Sequence, residues 1–214
     1  MFAGWAQMRV STTFNRYNHI MTHNGLTGAE VARRILNANG LNDVEIRAVA
    51  GNLSDHYDPR TRIVNLSNEV FRSSTIGAAG VAAHEVGHAI QHQTNYTPLT
   101  LRAAIVPITN IGSTLSLPII LIGMFLSSQP LMNVGIVCFA LMTVFQLVTL
   151  PVEFNASARA IKTIEAQGIL QGGDEIAGAK RVLSAAALTY VAALLVSAAQ
   201  LLRIMLIFGN RDKD

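Results

Sequence analysis

Apolar positions recur at Val31, Ile35 and Leu36, the three-to-four spacing of a helix face, and predict a helix over 28–39. Thr27 and Glu30 form an S/T-x-x-E capping box at its start, and Asn39-Gly40 supplies its stop. Val44 to Val49 alternates apolar with polar, which predicts a half-buried strand. Asp58-Pro59-Arg60 predicts a turn, and Arg62 to Leu66 a second strand. The two strands form either a hairpin or part of one small sheet. An Ala- and Val-rich stretch predicts a further helix from Ser74 to Gln93.

Beyond residue 102 the charges vanish. Ala103–Val152 holds no Asp, Glu, Lys or Arg in 50 residues, and Val182–Leu202 holds none in 21. A membrane-spanning helix needs about 20 largely apolar residues. The first run therefore fits two spans, broken at Ser127, Ser128, Gln129 and Pro130. Spans are expected over 104–126, 131–151 and 183–207, with Arg203 able to snorkel to the interface. Three buried core helices of a soluble protein fit less well, because such helices rarely stay uncharged this long. Their internal and C-terminal position excludes a signal peptide. Met1–Met8, apolar at Phe2, Trp5 and Met8, is too short to cross. It reads as an interfacial anchor or the stump of a longer upstream helix.

The expected organisation has four parts. A polar catalytic domain covers 1–102, a transmembrane hairpin 103–152, a polar segment 153–181, and a transmembrane helix with a short tail 182–214. Composition agrees: 50% of the 214 residues are hydrophobic and 14% charged, against about 25% charged in ordinary soluble domains. Disorder is excluded by the apolar content. An internal disulfide is excluded because Cys138 stands alone. A net charge of +3, with no basic cluster interleaved by aromatics, gives no sign of nucleic-acid binding.

The chemistry lies in His84-Glu85-Val86-Gly87-His88. Residues four apart on a helix share a face, about 6 Å apart, so two imidazoles there can converge on one zinc ion. Glu85 projects differently, and can reach a water beside the metal as general base. Catalytic zinc takes three protein ligands. His92 is not the third, because it lies about 12 Å along the helix from His84. Among the carboxylates Glu153 stands out as the first charge after the 50 uncharged residues, directly after Pro151, where proline suits a helix start. A plain interfacial terminus accounts for that position equally well.

The segments AAHEVGHAIQH (82–92), LPVEFNASARA (150–160) and SDHYDPRT (54–61) resemble the YugP-like neutral zinc metallopeptidases, a family of bacterial membrane proteins. These resemble in turn gluzincins such as the HtpX-like membrane proteases. Similarity extends over TGAEVARRIL (27–36), VPITNIGSTLS (106–116) and SAAALTYVAALL (184–195), most of the chain. The resemblance implies His84, His88 and Glu153 as zinc ligands and Glu85 as base. It also implies a bacterial cell membrane location and protein or peptide substrates. Three departures stand out. The family begins with a transmembrane helix, where this chain has only Met1–Met8, by truncation or loss of a span. Asn155 stands where the family has Asp. Ser157 stands where HtpX-like enzymes carry an Asp that holds a ligand histidine; a hydroxyl accepts that hydrogen bond without bringing charge.

Three further candidates remain. Tyr190, a neutral phenol beside a span, is a candidate oxyanion donor or a packing tyrosine. His56 and Tyr57 either contact substrate or belong to the turn before Asp58-Pro59. His19 and His23, lacking a Glu or Cys partner, read as a solvated helix face.

The fold expected is α+β, mainly α: a zincin-like catalytic domain with a small sheet, fused to three transmembrane helices. The function expected is zinc-dependent peptide hydrolysis at the membrane. Alternatives are an intramembrane protease, disfavoured because only 11 uncharged residues (73–83) precede the motif, and a non-enzymatic zinc-stabilised scaffold or chaperone, which has no need of Glu85. Residues 9–102 and 153–181 must share one side, and hold 9 and 4 Lys+Arg, so that side is expected to be cytoplasmic and the C-terminus outside.

Overall fold

A computed structural model of the chain describes residues 2–208. The tail 209–214, expected on the outer side, lies outside the described residues. Seven helices and three strands occur in the order α1 (Phe2–Tyr17), α2 (Gly28–Ala38), β1 (Glu45–Val49), β2 (His56–Asp58), β3 (Ile63–Ser67), α3 (Asn68–Arg72), α4 (Ile76–Gln93), α5 (Thr97–Phe125), α6 (Gln129–Ala166) and α7 (Gly172–Phe208). They form two compact units. One is Ala3–Tyr96 with Val152–Thr189; the other is Thr97–Pro151 with the segment that begins at Tyr190.

The first unit is built around the predicted amphipathic elements. In α2 the stripe Val31, Ala32, Ile35 and Leu36 is buried. Its capping box is fully formed: Thr27 Oγ1 accepts the Glu30 N–H at 3.3 Å, and Glu30 Oε2 accepts the Thr27 N–H at 2.8 Å. The sheet runs β1-β3-β2, with β3 central and buried along nearly its whole length. β1 pairs with β3 in parallel, so the hairpin alternative fails. β2, which lies between them in the chain, adds antiparallel to the far side of β3. His56 and Tyr57 therefore belong to a strand, not a turn. Three residues are too few to show a period, and cross-strand pairing to Asn65 and Val64 fixes them.

His19 and His23 are corrected too. They follow α1 in turns rather than sharing a helix face. His23 also has a partner: its backbone N–H and ring Nδ1 lie 2.7 and 2.8 Å from Glu175 Oε1. Helix α4 starts at Ile76, two residues beyond the expected boundary, with Thr75 Oγ1 accepting the Ala78 N–H as its cap. Its Ala/Gly content permits close packing. A Cβ on Gly87 would stand 2.6 Å from the Ala156 carbonyl oxygen, so α4 and α6 meet at a spot only glycine fits.

Three helices, α5, α6 and α7, are long and apolar enough to cross a membrane. Large apolar side chains on them stay exposed, among them Ile111, Leu117, Phe125, Val137 and Leu206. Two are longer than the apolar runs predict. α6 continues unbroken from the uncharged run through Pro151 and Glu153 to Ala166, and α7 runs on from Gly172. Pro151 thus sits inside a helix, not at its start. Helices rich in apolar residues tolerate an internal proline where neighbouring groups meet the freed carbonyl.

Candidate metal centre

The spacing in α4 sets the geometry. His84 and His88 project from successive turns, their ring centroids 4.8 Å apart and nearly perpendicular. Glu153 arrives from α6, buried. Its Oε2 lies 3.3 Å from His84 Nε2 and 3.6 Å from His88 Nε2. One ligand atom from each of the three residues falls within 4.8 Å of the other two, so the group could hold a metal ion. Burial opposes charge on His88, but the Glu153 and Glu85 carboxylates outweigh it and raise its pKa. The pocket therefore favours positive charge.

The outer ring nitrogens are also engaged, which leaves each Nε2 facing the carboxylate. His84 Nδ1 lies 3.2 Å from Ser157 Oγ, so the hydroxyl takes the position the sequence assigned to it. His88 Nδ1 lies 3.0 Å from Gln91 Oε1. Gln91 is fully buried, and its amide donates to the Val152 carbonyl at 2.8 Å and to Asn155 Oδ1 at 3.0 Å. Arg159 Nε donates to the same Asn155 oxygen at 2.7 Å. The sequence gives Gln91 and Arg159 no role at the site. The available signal was helical spacing: Gln91 follows His88 by three residues, and Arg159 follows Asn155 by four. Such second contacts orient metal-binding histidines and fix their tautomer.

Two imidazoles, each with a supported orientation, and a carboxylate fit zinc, whose catalytic sites take three N or O ligands. His92 is not in the group. Its Nδ1 is 2.9 Å from the Tyr57 hydroxyl, joining α4 to β2. Glu85 is buried within α4. Tyr190 lies half-buried on α7, in the second unit, whereas the metal group lies in the first.

A family model described as "Putative neutral zinc metallopeptidase" matches residues 1–209. The chain belongs to this zinc metallopeptidase family. It is also 50% identical over 211 residues to the "Putative membrane protease YugP" of Bacillus subtilis (strain 168), covering 98% of this chain and 93% of that protein. No solved structure matches. Zinc is accordingly the cofactor of the family, and His84, His88 and Glu153 are the residues here that could hold it.

Proposed function

We propose that this chain is an integral membrane zinc endopeptidase of the gluzincin type, with a zincin-like catalytic unit. The observation that carries the reading is the convergence of His84 and His88 from α4 and Glu153 from α6, within 4.8 Å of one another. These three would hold the metal. When bound, zinc supplies Lewis-acid polarisation of a carbonyl and lowers the pKa of a water. Glu85 accepts the proton from the attacking water and returns it to the leaving amine. Ser157 and Gln91 keep the two imidazoles aligned.

Substrate is a protein or peptide in extended form, gripped by strand addition to a sheet edge. The β2 edge suits this, since Tyr57 on β2 contacts His92 on the helix that carries the motif. The catalytic unit faces the bacterial cytoplasm, on the side that holds most of the Lys and Arg.

The test uses the purified full chain, zinc analysis and an unfolded protein substrate. Glu85→Gln should keep zinc but lower hydrolysis by about 10²–10⁴-fold, the usual weight of a general base. Equal cleavage by wild type and variant would remove Glu85 from the mechanism. Zinc without cleavage in either would make the site structural.

A further inference from the structure

Apart from the metal group, the first unit holds a cavity of about 460 Å³ between α1 and α7. Each wall is one helix face. Arg9, Thr12, Thr13 and Arg16 line it from α1, at three- and four-residue steps. Lys180, Arg181, Ser184, Ala185 and Leu188 line it from α7 with the same periodicity. Tyr17 joins the walls. Its ring packs where a Cβ on Gly178 would stand 2.8 Å away, and its hydroxyl accepts from Arg181 Nη1 at 2.9 Å.

The lining has four cationic side chains and no carboxylate. Lys180 is paired with Glu165 at 2.9 Å. Arg9, Arg16 and Arg181 have no such carboxylate beside them among the described residues: α1 carries no Asp or Glu, and α7 none after Glu175. Exposed guanidinium groups gathered on one cavity lining raise its positive potential and favour an anion among them. Their planar forks match the oxygens of a phosphate, and the hydroxyls of Thr12, Thr13 and Ser184 can donate to the oxygens that remain.

Position in the chain narrows the ligand further. Ser184, Ala185 and Leu188 fall inside the uncharged run 182–202 of a membrane-capable helix, while Lys180 and Arg181 stand at its border. The cavity thus combines a cationic lining with an apolar wall at the border of a membrane-capable stretch. Basic pockets at such borders suit anionic lipid headgroups. We propose that the α1/α7 cavity binds the headgroup phosphate of an anionic glycerophospholipid, with an acyl chain along Ala185 and Leu188. A free phosphate needs no apolar wall, and neither does an acidic peptide.

Trp5, the single tryptophan, stacks beneath Arg9 at 5.5 Å and reports on the site. The full chain is placed in bilayers of phosphatidylcholine containing brominated phosphatidylglycerol, and quenching of Trp5 is read against brominated phosphatidylcholine. The anionic lipid should quench at a much lower mole fraction. Arg16→Gln should raise its half-saturating fraction by about fivefold, as loss of one surface cation implies. Ser184→Ala, which removes only a hydroxyl, should raise it as well. Arg47→Gln with Arg60→Gln, which removes two charges outside the cavity, should leave it in place. Equal quenching by the two lipids overturns the proposal, and so does an equal shift in the Arg47/Arg60 control. Abolition of the difference by millimolar inorganic phosphate makes the ligand free phosphate; displacement of the lipid by poly-glutamate makes it an acidic peptide. Circular dichroism checks folding of each variant.

Discussion

Replacing Gln91 with leucine tests whether the contacts behind the imidazoles set the metal site. The two side chains have similar volume, so packing is largely kept. Three hydrogen bonds are lost, to His88 Nδ1 at 3.0 Å, Val152 O at 2.8 Å and Asn155 Oδ1 at 3.0 Å. His88 then has no acceptor for its Nδ1–H, in a site where its side chain is only 12% exposed. A neutral hydrogen bond is worth about 1 kcal/mol, and an unsatisfied buried donor costs about 1–3 kcal/mol. Loss of an outer contact to a metal-binding histidine typically weakens metal affinity by about 10–100-fold, equivalent to about 1.4–2.7 kcal/mol. The two figures agree. Zinc affinity of Gln91→Leu, read by chelator competition on the purified chain, should fall within that range. Gln91→Glu keeps an acceptor for His88 and loses the two donors, so it should hold zinc better than Gln91→Leu while lowering thermal stability. Zinc affinity of Gln91→Leu within about twofold of wild type would refute the orienting role.

Other perturbations probe other parts of the argument. Glu153→Ala should strip zinc while His92→Ala retains it; the reverse pattern in metal analysis would reassign the third ligand. Gly87→Ala forces a Cβ to 2.6 Å from the Ala156 carbonyl, so it should part α4 from α6 and lower both thermal midpoint and zinc content; an unchanged protein would contradict that contact. A cysteine at Ser128, in a Cys138→Ser background, should react with an impermeant reagent outside intact cells, and one at Gly172 should not; the opposite pattern inverts the orientation. Burial raises the Asp55 pKa, although the Ser67 N–H donates to its Oδ1 at 2.7 Å. The ionised form is therefore disfavoured on folding. Its contribution is fullest below the ordinary aspartate pKa of about 3.9 and is lost as pH rises through the raised value. Asp55→Asn should flatten that decline in thermal midpoint, and parallel curves would show that Asp55 does not cause it.

Local patterns were legible in the sequence because they are closed within a few residues. The Thr27/Glu30 box and the His84/His88 spacing each need one helical turn, and both are formed. Pairing partners were not legible. Alternation marks β1 and β3 as strands but says nothing of their parallel register, and β2 has three residues and no period. The long continuation of α6 was hidden by Pro151, a residue that in a soluble helix signals an end. Gln91 was hidden for another reason: a glutamine in an Ala-rich helix resembles a solvent-facing residue until α6 packs over it.

The order in which the metal group's members are made has a temporal consequence. Glu153 follows His88 by 65 residues, and α5 lies entirely between them. At about 5–20 residues per second, roughly 3–13 seconds of synthesis separate the two. Throughout that interval the growing chain holds both histidines and lacks the carboxylate that gathers them. The delay is filled by making the uncharged run 103–152, which supplies α5 and the apolar part of α6. A chain stalled before residue 153 is therefore incapable of assembling the three-residue group, so its ripening is tied to completion of the helical hairpin rather than to synthesis of the motif.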